Sequence, residues 1–134
     1  MKINFHKTNE ALERKPIGIV ITIPRTIKWE DYEKELAAVA DGRQEMNFRV
    51  NILPTRVHQG DRCYLCYGGN IVGWMTISHI GEKSFRCTTT GRQWETGNYV
   101  SRTGKFYKLD APIPCKGFRG FRYIYLDRSG NLTF

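Results

Sequence analysis

The stretch Pro112-Ile113-Pro114-Cys115-Lys116-Gly117-Phe118-Arg119-Gly120-Phe121-Arg122-Tyr123 is chemically the densest in the chain. Lys116, Arg119 and Arg122 recur every three residues, as do Phe118 and Phe121. Guanidinium groups pair with phosphates and aromatic planes stack on bases, so in a loop this repeat could offer both halves of a contact to nucleic acid. The alternative is a structural loop entering a last strand, with the phenylalanines packed inside. The two prolines stiffen the approach, and the two glycines permit a bulge or a close backbone contact.

The same bias extends over the C-terminal part. From Ser84 onward the cations are Arg86, Arg92, Arg102, Lys105, Lys108, Lys116, Arg119, Arg122 and Arg128, against Glu95, Asp110 and Asp127. Phe85, Trp94, Tyr99, Phe106, Tyr107, Phe118, Phe121, Tyr123, Tyr125 and Phe134 are interleaved with them. Cations among rings suit a nucleic-acid surface. They equally suit a small β-barrel whose rings form the core and whose cations form a solvated rim.

Other chemistry is argued against by spacing. Cys63-x-x-Cys66 is half of a zinc motif, but Cys87 and Cys115 stand singly and far apart. A structural zinc needs four converging ligands. Within a strand an odd spacing also sends Cys63 and Cys66 to opposite faces, so no metal site is expected. Gly104-Lys105 lacks the rest of a phosphate loop: Tyr99 stands where the first glycine belongs, and Phe106 where Ser or Thr would reach magnesium. His6, His58 and His79 form no metal pair, and no Gly-x-Ser-x-Gly elbow exists. No catalytic signature and no cofactor motif is present.

The elements that must position these residues are mostly strands. Ile17-Gly18-Ile19-Val20-Ile21-Thr22-Ile23, between Pro16 and Pro24, reads as a buried strand. Trp29, Tyr32, Leu36, Val39 and Ala40 share one helical face, acids crowd the first turn, and Gly42 offers a stop. Phe48, Val50 and Ile52 alternate with polar residues up to Pro54. Gly60-Asp61 opens a strand from Arg62 to Tyr67, Gly68-Gly69-Asn70 turns it, and Ile71 to Ser78 returns. Further strands are expected near Ser84–Thr88, Tyr99–Arg102, Lys105–Leu109 and Phe121–Leu126, with Ser101-Arg102-Thr103-Gly104 as a second turn. Residues 1–15 read as an arm. One strand, one helix and many short strands predict a mainly β protein with one major helix, an α+β barrel with the helix on its side.

Length and composition agree with that. The chain has 134 residues, 40% hydrophobic and 25% charged, which suits one globular domain over 1–134. No apolar run is long enough for a membrane span, and the first residues lack the apolar core of a secretory signal. A cytoplasmic protein with reduced thiols is expected. The net charge of +8 favours a polyanionic partner.

The order of elements, with Gly60-Asp61-Arg62-Cys63-Tyr64-Leu65-Cys66-Tyr67 and then Ile71-Val72-Gly73-Trp74-Met75-Thr76-Ile77, resembles the PUA-like superfamily, especially its ASCH and EVE branches. The resemblance covers roughly residues 16–80. It implies a PUA-like β-barrel with a cleft that receives RNA or a base in DNA. The ASCH pattern Gly-x-Lys-x-x-Glu-x-Arg has its nearest counterpart in Gly42-Arg43-Gln44-Glu45-Met46-Asn47-Phe48-Arg49, where Gln44 and Asn47 replace the charged Lys and Glu. That departure argues against the amidohydrolase activity on acetylated cytidine that some members of the branch have.

The expected function is therefore binding of RNA or DNA without catalysis, by Arg25, Asn47, Arg49, Trp74, Arg102, Lys105, Arg119 and Arg122. Arg25 and Arg49 would hold phosphate, and Trp74 would stack a base or else serve as a core ring. The alternatives are a small ASCH-type hydrolase of a modified nucleoside, with Glu45 beside Lys28 or Arg49, and a protein-binding accessory module with a basic face.

Overall fold

The computed structural model describes residues 15–84 and 96–134. The expected Ser84–Thr88 strand and the arm at 1–15 lie outside the described residues, apart from Ser84 and Lys15 at their ends. Seven strands form one sheet: β1 (Gly18–Thr22), β2 (Met46–Val50), β3 (Arg62–Tyr67), β4 (Asn70–Lys83), β5 (Gly97–Pro114), β6 (Phe121–Leu126) and β7 (Leu132–Thr133). The helix α1 spans Trp29–Ala40. The strand order is β2-β5-β4-β3-β1-β6-β7, with β1 parallel to β3 and every other pair antiparallel.

The mainly β, single-helix class is as the sequence predicts. Barrel closure is not: β2 and β7 end the sheet at opposite edges and do not pair with each other, so the sheet is open. No described helix is long and apolar enough to cross a membrane.

The central strands are buried on both faces, which is why β1 reads as an uninterrupted β-branched run. On one face Ile19, Ile21, Cys63, Leu65, Met75, Ile77 and Val100 meet Tyr32, Leu36 and Val39 of α1. On the other, Val20, Tyr64, Cys66, Ile71, Cys115 and Ile124 form a second cluster, with Trp74, Ile113 and Phe118 packed against it. Cys63 and Cys66 thus fall on opposite faces, as their odd spacing requires. Asp41 and Gly42 end the helix, their N–H groups donating to Ala37 and Val39 carbonyls, with Gly42 at φ 77°. Gly68 and Gly69, at φ 61° and 84°, make the tight β3–β4 turn. Ile52 lies past the end of β2 and is 77% exposed, so its place in the alternation is a loop.

Residues 97–114 are one strand rather than two joined by a turn. Gly104, at φ 79°, lies at a register shift: Trp74 pairs with Tyr107 and Thr76 with Thr103, leaving extra residues on β5. Beyond Arg102 the outer edge of β5 has no partner strand among the described residues. Lys105, Lys108 and Pro112 occupy that edge, as expected of an edge that must not template further pairing.

Gly73 permits this path. A Cβ there would collide with the Phe106 ring and lie 2.5 Å from the Tyr107 carbonyl oxygen. Gly73→Ala is expected to lower stability by about 1–3 kcal/mol, read as a reduced urea midpoint, because β5 cannot withdraw without losing its ladder to β4.

Burial also makes the fold sensitive to alkali. Cys63 is fully buried between α1 and the sheet, which pushes its thiol up from 9.0 to about 11. Tyr32 is shifted upward too, burial outweighing the opposing charge of Arg102. The folded chain holds these protons where the unfolded chain releases them. Stability present below pH 9 is therefore expected to fall between pH 9 and 11. Urea titrations across this range should show a shallower fall in Cys63→Ala.

Candidate nucleic-acid interface

The sheet distributes the expected site residues over three places. Arg25 follows β1 in an exposed turn closed by Ile27 N–H donating to the Pro24 carbonyl at 3.1 Å. The segment before β6 docks against the same end of β1: the Phe118 N–H donates to Thr22 Oγ1 at 3.1 Å. Arg25, Lys116 and Arg119 are consequently exposed at one end of the parallel pair, and none pairs with a carboxylate among the described residues. Arg122, opposite Val20 on β6, lays its guanidinium 4.4 Å from the centre of the Phe118 ring. Phe118 is half-buried in the second apolar cluster and Phe121 in the first, so the loop packs its rings inward and turns its cations outward.

Asn47 and Arg49 lie at the other end of the sheet, on the edge strand β2. Asn47 faces Ser101 across the β2–β5 ladder and accepts from its Oγ at 2.6 Å. Lys83 Nζ also donates to Asn47 Oδ1, at 3.4 Å, and to Ser101 Oγ at 3.5 Å. The same ammonium pairs with Glu45 Oε1, and Ser78 Oγ donates to Glu45 Oε2 at 3.0 Å. Since an ammonium only donates, Asn47 must turn its oxygen toward Lys83, which leaves its amide N–H groups directed away. The Lys83 and Glu45 side chains are 24% and 31% exposed, so this polar network is sheltered yet reachable. His79 pairs with Ser101 on the neighbouring strand, and its Nε2 is buried without a partner among the described residues.

Trp74 and Lys105 mark the third place, midway along β4 and β5. Tyr107 stacks on Trp74 at 4.2 Å and 19° between planes, and the Arg62 guanidinium lies 4.1 Å from the Trp74 ring centre. Two planar groups at that range cannot share one side of an indole, so both Trp74 faces are covered. The stacking role expected of Trp74 is corrected on that ground. Lys105 is exposed and holds its ammonium 5.6 Å from the Tyr107 ring.

Arg102 requires a larger correction. It is 3% exposed, faces α1 across the core and donates from Nη1 to the Tyr32 hydroxyl at 3.1 Å. Such a guanidinium holds no phosphate. The predicted cleft joining Arg25, Asn47, Arg49 and Trp74 is likewise not assembled, because Arg25 and Asn47 stand at opposite ends of the sheet. Glu45 is paired with Lys83, whereas the sequence suggested Lys28 or Arg49.

Sequence reasoning missed Lys83, Ser78 and Ser101. The return strand was read as ending at Ser78, whereas β4 runs on to Lys83. Continuing the alternation through Ile80 would have placed Lys83 on the strand. Ser101 falls in both the expected Tyr99–Arg102 strand and the expected Ser101–Gly104 turn, and the structure keeps the strand and replaces the turn with continuous β5.

Among the described residues no three Cys, His, Asp or Glu side chains converge on a common point. Cys63, Cys66 and Cys115 are free thiols, with Cys66 Sγ donating to the Cys115 carbonyl at 3.2 Å, and Cys87 lies outside the described residues. Comparison with protein-family models, curated proteins and solved structures gave no match.

The Glu45–Lys83 pair is expected to contribute measurably to stability because each partner is less than a third exposed. A double-mutant cycle with Glu45→Gln and Lys83→Met should return a coupling of about 1–2 kcal/mol in urea denaturation. A coupling near zero would mean that solvent screens the pair.

Proposed function

We propose that this chain binds nucleic acid, with the phosphate backbone held by the cations at the C-terminal end of the β1–β3 pair. The observation that carries this reading is the group Arg25, Lys116 and Arg119, exposed and without carboxylate partners among the described residues, beside Arg122 on Phe118. Cations left unpaired on a chain of net charge +8 repel one another. Keeping them together is favourable when a polyanion neutralises them. Asn47, whose amide N–H groups make no hydrogen bond among the described residues, and the half-sheltered network around it supply hydrogen-bonding groups of the kind that recognise a base. Free buried thiols fit a reducing, cytoplasmic setting.

The same reading treats the chain as a diverged relative of the PUA-like superfamily. It is supported by the order strand, helix, strands, by the Gly60-Asp61 turn that opens β3, and by Gly73 on the return strand. The open sheet is a departure from a closed barrel.

One observation favours a second reading. The hydrogen bond from Ser78 to Glu45, with Lys83 on the other carboxylate oxygen, joins a hydroxyl, a base and a cation. That set suits hydrolysis of an amide on a modified nucleoside: Glu45 would take the proton of a water attacking the acyl carbon and give it to the departing N4 amine as the C–N bond breaks, while Lys83 would stabilise the oxyanion. Turnover of an N4-acylated cytidine that is abolished in Glu45→Gln would establish it.

The lead reading is tested with short single- and double-stranded RNA and DNA at two or more salt concentrations. Saturable binding whose logarithm falls linearly with log salt is expected. Arg25→Ala and Arg119→Ala should each reduce that slope by about 1. Binding to none of the strands, or binding indifferent to salt, would overturn it.

A further inference from the structure

Resting on the nucleic-acid reading above, we propose that Tyr107 is the outer plane of a preassembled stack that receives one unpaired base of a single strand. Arg62, Trp74 and Tyr107 form three layers in that order, with Arg62 4.1 Å and Tyr107 4.2 Å from the indole centre. Each layer is fixed from its own strand. Arg62 is held by a hydrogen bond from its Nη1 to the Tyr64 hydroxyl at 3.1 Å. Trp74 pairs across the ladder with Tyr64 on one side and Tyr107 on the other. Tyr107 sits just beyond the Gly104 bulge, where β5 has no further partner strand among the described residues.

This arrangement leaves one ring face to solvent and the Lys105 ammonium alone. Tyr107 is 42% exposed although Trp74 covers one of its sides, so its exposed surface is the opposite face and the hydroxyl end. A single exposed tyrosine on an edge strand is ordinary. A tyrosine backed by an indole and a guanidinium is not, because the ring is already ordered and a ligand need not immobilise it. Lys105, on a flexible stem 5.6 Å from the ring centre, can swing aside and reach the phosphate of the stacked nucleotide.

The occupant follows from charge and shape. Lys105 is the exposed cation beside the ring, and Arg62 lies behind Trp74. A flat apolar face with an ammonium beside it complements a base with its phosphate. The base must be unpaired, since neighbours in a duplex cover both faces of every base pair. Stacking and phosphate pairing do not read the sugar, so oligouridine and oligodeoxythymidine should bind about equally at this place.

The test is fluorescence anisotropy of labelled oligouridine, oligodeoxythymidine and a mixed-sequence duplex with the whole chain, its Tyr107→Ala, Tyr107→Phe and Lys105→Ala variants. Tyr107→Ala is expected to weaken single-strand binding about ten-fold or more, with Tyr107→Phe restoring it, because the ring and not the hydroxyl carries the contact. Lys105→Ala should lower the salt slope by about 1. Equal circular dichroism and urea midpoints in Tyr107→Ala and Tyr107→Phe separate lost stacking from lost folding. If single strands bind and Tyr107→Ala binds them as tightly as the parent, the stack is not the contact and the broader reading stands. If duplex and single strand are weakened alike, the unpaired-base assignment is wrong. If no strand binds the parent chain, the reading on which this inference rests fails first.

Discussion

The ladder between β4 and β5 changes register at three places, and each change decides which side chains share a face. Between Trp74 and Thr76 the partner strand advances from Tyr107 to Thr103, with the excess residues absorbed around Gly104. Between Ile77 and His79 the excess lies on β4 instead. Side chains directly paired across a ladder point the same way, so these shifts fix every other placement. Ile77 brings Arg102 into the core, and His79 brings Ser101 to the polar network. Trp74 brings Tyr107 onto its open side. All of this depends on β5 lying close over Gly73, where no side chain fits.

Turning Arg102 inward places a guanidinium in the main core. The Tyr32 hydroxyl receives one of its N–H groups, and among the described residues its Nε has no partner and no carboxylate neutralises it. Such a group costs free energy that the apolar contacts around α1 must offset. It also acts on its neighbours, since the positive charge opposes the upward shifts that burial imposes on Tyr32 and Cys63. The polar network at the β2 edge solves the same problem differently. There the carboxylate, the ammonium, two hydroxyls and an amide satisfy one another, and each charge keeps partial access to water.

Much of the fold was legible because periodicity is a local property. The β-branched run of β1, the three-four spacing of α1 and the glycines of the β3–β4 turn each carry their signal within a few residues. The opposite facing of Cys63 and Cys66 followed from strand geometry alone. Bulges carry no comparable signal. Gly104 reads equally as a turn or as a bulge until the partner strand is known, and reading it as a turn hides that β5 runs on and that Arg102 faces the core. The sheet's failure to close is a relation between strands far apart in sequence, which no local pattern encodes. The cations of the loop before β6 are exposed, and Gly117 and Gly120 leave no regular face there that could bury them. For Trp74 the sequence leaves base stacking and a core ring both open, because its covering partners come from β3 and β5 and only the register names them.

The stack and the polar network turn out to lie on one side of the sheet. Ser101 and Thr103 alternate along β5, Thr103 is paired with Thr76, and Thr76 alternates with Trp74. Trp74 and His79 are five positions apart on β4, a separation of about 16 Å at the usual rise of a strand. A lone nucleoside is too short to touch both places. A strand of several nucleotides can stack one base on Tyr107 and present another to Asn47 and the Glu45–Lys83 pair. If both places serve one ligand, that ligand is a polymer, and chemistry at Glu45 would act on a residue within a chain. The physical consequence is cooperative: each contact raises the effective concentration of the strand at the other, so weak individual contacts combine into useful affinity without any single deep pocket.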